Sequence, residues 1–374
     1  MAVGLHRNAQ IVINKNAIFK NIKTEKDKLN ADTSLFAVVK ANAYGHGAIE
    51  VANVAKKAGA DGFCVAILDE ALELREAGIS EPILVLGISR VEDVKIIVEN
   101  NISVAVSSLK WLQEAEKLMK AECIKGSLQL HLALDTGMGR IGFQSVSELE
   151  TVVSYIKQHS DLNVEGIFTH FSTADSKDSS YFDKQLNRFN EMKSFLLTNF
   201  NPKYVHVSNS ATSLWHSECN GNMIRFGVAI YGLNPSGNDI DLPYPLNPAL
   251  SLTSEIVHCK LVSKGYSIGY GATYTTKSDE WIGTVPIGYA DGFSRKMQGF
   301  YVLIDGIKCK IVGRVCMDQF MVKLPYQVNT GTKVVIIGSS NNETITLFDI
   351  AQYCDTIHYE VSCNLSNRLP RFYV

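Results

Sequence analysis

Residues 37–47 read AVVKANAYGHG, and the rest of the chain is arranged around them. The apolar run at 35–39 reads as a short buried strand that ends on Lys40, with a glycine-bearing loop behind it. An ammonium group at the carboxyl end of a strand stands where barrels and open parallel sheets place their ligands. The loops there vary freely while the strand holds the side chain still. A buried lysine loses its proton readily, and only the neutral amine forms an imine with an aldehyde. Position alone leaves a plainer alternative, a lysine that snorkels from a strand end.

From Ser34 onward, short apolar runs alternate with helical patterns. Runs at 35–39, 62–67, 82–87, 102–106, 128–134, 164–169, 204–208 and 223–226 predict eight strands. Helical periodicity falls between them, at 48–58, 68–77, 91–100, 109–120 and 182–198. The fold class is therefore α/β, a (βα)8 barrel of the TIM type. After Tyr231, Asn234, Pro235, Ser236 and Gly237, followed by Pro243, Pro245 and Pro248, form a segment that is neither helix nor central strand. Beyond it, glycine-punctuated strand patterns such as FYVLIDGIKCKIVGRVCMD predict a second, smaller all-β domain. The expected division is 1–242 for the barrel and 243–374 for the β domain.

A chain of 374 residues with a net charge of -2 fits two domains and offers no basic stripe for nucleic acid or an anionic membrane. No signal-like or bilayer-length apolar run occurs, so the cytoplasm is the expected compartment. The 8 cysteines lack CxxC pairs and neighbouring histidine clusters. That argues against a zinc site and a disulfide framework, and makes most of them small core residues.

Several predicted strand ends carry polar groups. LALDTGMGRIG presents Arg140, and GIFTHFSTAD ends on His170. YVHVSNSAT carries His206, Asn209 and Ser210, and MIRFGVAIYG places Arg225 on the last strand ahead of Gly227. Singly these are a structural histidine, a surface ion pair and an ordinary turn. Together they make the inventory of a pyridoxal phosphate site: a lysine for the aldehyde, hydroxyl and amides for a phosphate, arginine and histidine for the ring.

AVVKANAYGHG, DTGMGRIG, FTHF, HVSNSAT, IRFGVAIYG, GYGATY, GTVPIGYADG, GRVCMDQ and HYEVSC, in this order, resemble the alanine racemase family from about Gln10 to about Arg371. The resemblance implies pyridoxal phosphate held by Lys40, which also serves as base for the D-substrate. Tyr270 of a partner subunit is then the base for the L-substrate, in a homodimer with shared sites. It assigns Arg225 to the ring nitrogen. Tyr44, His170, Asn209, Ser210, Gly227, Val228 and Tyr359 become cofactor contacts, Arg140 and Met317 substrate contacts, and Tyr289, Arg295 and Arg314 an entrance corridor. His170 and Arg225 are expected to lend Tyr270 a positive field. Many members carry a carbamylated lysine at the place of Ala133, and that charge would hold Arg140. Here a bound anion such as chloride, or another side chain, is expected to fill the gap. The implied activity is interconversion of L- and D-alanine, supplying D-alanine for peptidoglycan. A broader amino-acid or serine racemase, or a non-catalytic cofactor-binding protein, remains as an alternative.

Overall fold

The structure is a computed structural model and describes residues 2–374. Eight strands form a wholly parallel sheet: β2 (Ser34–Val38), β3 (Gly62–Val65), β4 (Ile83–Val85), β5 (Ser103–Val106), β6 (Leu128–Ala133), β7 (Leu162–Phe168), β8 (Tyr204–His206) and β9 (Met223–Phe226). The order β8-β7-β6-β5-β4-β3-β2-β9 brings the last strand back to the first. A lone parallel bridge, Ser208 to Ile224, lies across the β8/β9 seam. This nearly closed barrel matches the eight runs read from the sequence.

The strands were legible because both faces of a parallel barrel strand are covered, so each reads as an unbroken apolar run. Every residue of β3 and of β5 is buried. The helix Val146–Ile156 shows the complementary pattern. It buries Leu149, Val152, Val153 and Ile156 on one face, and Ser145 caps its start by accepting from the Glu148 amide.

The chain divides into two compact units whose limits differ from 1–242 and 243–374. One comprises 17–43 and 48–247; the other takes the residues up to Asn16, 44–47 and 248–374. The N-terminal segment joins the β unit because β1 (Gln10–Ile13) pairs antiparallel with Leu250–Glu255 and parallel with Arg371–Tyr373. Backbone hydrogen bonds there need partners that lie at the far end of the sequence. The β unit also holds two short helices, Leu347–Cys354 and His358–Cys363. No helix among the described residues is long and apolar enough to cross a membrane. Only Cys64, Cys309 and Cys354 are buried, so the expectation that most cysteines sit in the core is corrected; Cys123 and Cys363 are exposed.

Behind Arg225, the fully buried Tyr231 donates from its hydroxyl to the Val38 carbonyl (2.9 Å), fastening the end of the β9 segment to the strand that carries Lys40. Tyr231→Phe strands that carbonyl and should lower the unfolding free energy by about 1–2 kcal/mol in urea titrations. An unchanged midpoint would show the bond to be dispensable.

Candidate active site

Lys40 follows β2 directly after Val39 and is half-buried. Behind it the backbone turns left-handed through non-glycine residues, Ala41, Asn42 and Ala43 at φ 52°, 52° and 53°, with Tyr44 at 53°. For L-residues this conformation is disfavoured by roughly 1–2 kcal/mol each. Specific bonds hold it. The Ala43 amide donates to Val39 O (2.8 Å), the Ala48 amide to Asn42 Oδ1 (2.8 Å) and the Ala41 amide to Glu70 Oε1 (2.6 Å). The other Glu70 oxygen accepts from the Ala66 amide at 2.8 Å, so one carboxylate ties the loop after β2 to the end of β3. Glu70 was not singled out from the sequence, where it passes for an ordinary acidic residue in a first helical turn.

Lys40, Arg140, His170 and Arg225 border one cavity of about 260 Å3 at the carboxyl ends of the strands, with Leu86, Ile141 and Phe168 as apolar wall. A larger hollow of about 580 Å3 elsewhere in the barrel unit is lined by Glu25, Lys28 and Tyr244. It has no strand-end amine, and its buried Glu25 already accepts from the hydroxyls of Ser213 and Tyr244. The smaller cavity is therefore the chemical candidate.

No carboxylate lines that cavity. Ala133 packs with Ala105, Phe168 and Ile141, so the place of the carbamylated lysine is an apolar contact, and no side chain from the wall replaces its charge. Arg225 is buried and bonded on two nitrogens. Nη1 donates to His206 Nδ1 (2.6 Å), and Nη2 to the carbonyls of Thr169 (2.9 Å) and Val207 (3.1 Å). Nε–H has no hydrogen-bond partner among the described residues. Burial, and then Arg140, push the guanidinium down to about 10, still far above neutrality. Cys64 gives no counter-charge, because burial pushes its thiol up to about 12.

His170 lies 3.4 Å from Arg225 Nη2. Burial, followed by the charges of Arg225, Arg140 and Lys40, holds it well below the usual imidazole range. It is neutral, and the expectation that it lends Tyr270 a positive field is corrected.

Ser210 Oγ accepts from the Gly227 amide (2.8 Å), and Val228 follows in the same turn, so the three expected phosphate contacts of the barrel unit cluster. Asn209 is engaged as a cap, its Oδ1 accepting from the Thr212 amide at 2.9 Å. Within the β unit, Tyr44 and Tyr359 meet with ring centroids 6.0 Å apart. Tyr270 is 70% exposed on a turn of Gly269 and Gly271, and a Cβ on Gly271 would lie 3.2 Å from the Arg314 guanidinium. Tyr289 donates its amide to Cys316 O (3.1 Å), beside the exposed Met317. Arg295 is exposed on its own turn, Arg295–Met297.

Residues 13–235 match the sequence model of the alanine racemase N-terminal domain, and residues 249–373 that of the C-terminal domain. The chain belongs to the alanine racemase family. It is 57% identical over 373 residues to an alanine racemase of Levilactobacillus brevis, covering 100% of both chains. The crystal structure of alanine racemase from E. faecalis superposes with a TM-score of 0.96 at 51% identity, again with 100% of each chain covered. A histidine racemase from Leuconostoc mesenteroides is similar with a TM-score of 0.93 at 33% identity, over 100% of this chain and 99% of that one. Family members are isomerases that work with pyridoxal phosphate.

Burial keeps His131, His170 and His206 below their ordinary value, and His358 is lowered to about 4. Below about pH 6.5 the unfolded chain takes up protons that the folded one refuses. Stability should therefore fall with pH by up to about 1.4 kcal/mol per unit per histidine until the folded-state values are reached. Glu25, raised by burial, acts in the opposite sense above its ordinary value. Denaturation midpoints at pH 7.5, 6 and 5 test this, and a flat profile would contradict it.

Proposed function

We propose that this chain interconverts L- and D-alanine with bound pyridoxal phosphate, as a homodimer, supplying D-alanine for peptidoglycan. The observation that carries this reading is a strand-end lysine sharing one cavity with a buried guanidinium that no carboxylate faces. The residues present fit the cofactor. Lys40 would take its aldehyde, Arg225 Nε–H would face its ring nitrogen, and Ser210, with Gly227 and Val228 in the same turn, would hold its phosphate. Asn209, Tyr44 and Tyr359 are proposed as further contacts. The bound cofactor draws electrons from the substrate's Cα and so acidifies its hydrogen.

Lys40 Nζ removes the Cα proton of D-alanine, and Tyr270 Oη that of L-alanine; the other group returns a proton from the opposite side. Arg225 would donate a hydrogen bond to the ring nitrogen and give up no proton, so the bound cofactor would be a moderated electron sink and return of the proton to Cα would be favoured over its delivery elsewhere. A phenol with an ordinary value of about 10 needs cationic help to act near neutrality, and Arg314 beside Gly271 is suited to give it. Exposed Tyr266, Tyr270 and Met317 support a surface covered by a second copy. Met317 is proposed as a substrate contact and Tyr289, Arg295 and Arg314 as the corridor. Arg140 binds the substrate carboxylate, steadied by an inorganic anion because no acidic side chain lines the cavity.

Circular dichroism of L-alanine over time, with absorbance before and after borohydride, tests the whole reading. Loss of optical activity and reductive fixation of the cofactor on Lys40 are expected. Either one missing contradicts it. Tyr270→Phe should slow L-to-D conversion about 100-fold or more with little change in cofactor affinity; equal loss of both would make Tyr270 structural. Replacing chloride by gluconate at constant ionic strength should raise KM for alanine, and an unchanged KM removes the anion. The histidine racemase makes breadth a live question, and rates on alanine, serine and histidine side by side answer it, alanine being fastest here.

A further inference from the structure

Behind Arg225 a row of buried polar groups crosses the inner strands of the barrel. Arg225 Nη1 meets His206 Nδ1 at 2.6 Å, and His206 Nε2 meets His131 Nδ1 at 2.8 Å. His131 Nε2 meets Glu165 Oε2 at 3.2 Å, where the Ser103 hydroxyl also donates (2.5 Å). His131 and His206 are 1% and 0% exposed. Phe168 stacks on His206 with centroids 5.0 Å apart, and Tyr204 on His131 at 5.8 Å. Gly166 leaves the row its room, since a Cβ there would lie 2.3 Å from His131 Nδ1.

The two ends of this row permit only one arrangement of protons. A guanidinium only donates, so His206 Nδ1 carries no hydrogen and its proton is on Nε2. That proton goes to His131 Nδ1, which leaves the His131 hydrogen on Nε2, facing Glu165. From the other end, an ionised carboxylate only accepts, and it demands the same tautomers. Burial keeps both imidazoles neutral, while hydrogen bonds from His131 and Ser103 overcome burial and hold Glu165 below its ordinary value. A buried cation without a counter-charge is costly, and the row leads from Arg225 to an ionised carboxylate.

We propose that Glu165 is a positioning residue. Through His131 and His206 it fixes the tautomers that orient Arg225, so that Nη1 is held by the barrel and Nε–H is left for the cavity. Its consequence for catalysis rests on the reading of Arg225 as ligand of the cofactor's ring nitrogen; the tautomers themselves do not. A glutamine at 165 could turn its amide toward His131 Nε2, reversing both imidazoles and setting an N–H of His206 against an N–H of Arg225.

The test is nitrogen NMR of the full-length protein labelled with 15N-histidine, with and without pyridoxal phosphate. Both His131 and His206 are expected neutral with the proton on Nε2 in either state. An imidazolium, or a proton on Nδ1, at either residue overturns the proposal even if the protein never binds the cofactor. In Glu165→Gln a share of both histidines should move to the Nδ1–H form, and the racemisation kcat should drop roughly tenfold with KM little changed. Wild-type tautomers together with wild-type kcat in that variant also overturn it. Should the variant not fold, the wild-type spectrum alone still decides. Absence of racemisation in the wild type, with the expected tautomers, would count against the activity and not against the row.

Discussion

A guanidinium buried with no carboxylate in contact is the constraint from which the barrel unit can be read. Arg225 is 3% exposed, and its direct partners are carbonyls and two neutral imidazoles. A charge in such surroundings survives only when its donors are satisfied and a counter-charge lies within the hydrogen-bonded network. The interior of this barrel accordingly departs from the usual layers of branched aliphatics and carries histidines on β6 and β8 and a glutamate on β7. The seam between β8 and β9, where one bridge replaces a ladder, also brings Ser208, Ser210, Arg225 and Gly227 together. Closing the barrel and building the site are thus one act.

The second constraint is the left-handed turn after Lys40. Its unfavourable backbone persists because Glu70, Asn42 and Val39 each supply an acceptor. The next residues, 44–47, are handed to the β unit, where the Gly45 carbonyl accepts from Arg371 Nε at 2.7 Å and a Cβ on Gly45 would lie 2.3 Å from Ser362 O. Strain stored at this point is over-determined by its surroundings, which suits a lysine whose amine must be presented at a fixed place.

Much of this was legible in the sequence, for identifiable reasons. Buried parallel strands announce themselves as apolar runs, and Lys40, Arg140, His170 and Arg225 stand at the ends of those runs, where the fold delivers them to one cavity. His131, Glu165 and Ser103 were invisible, because each sits inside a strand and the network exists only between strands whose register the sequence does not state. The pairing of Gln10–Ile13 with the C-terminal strands escaped notice for the same reason, since long-range pairing leaves no local mark. The neutrality of His170 needed the structure too, because it follows from how many cations crowd one buried imidazole.

Arg225 is proposed to offer the cofactor a hydrogen bond but no proton. Reconstitution with pyridoxal phosphate labelled with 15N in the ring measures this most directly. The expected spectrum shows an unprotonated, hydrogen-bonded ring nitrogen throughout the range of pH over which the protein stays folded. A pyridinium signal near neutral pH would contradict the claim.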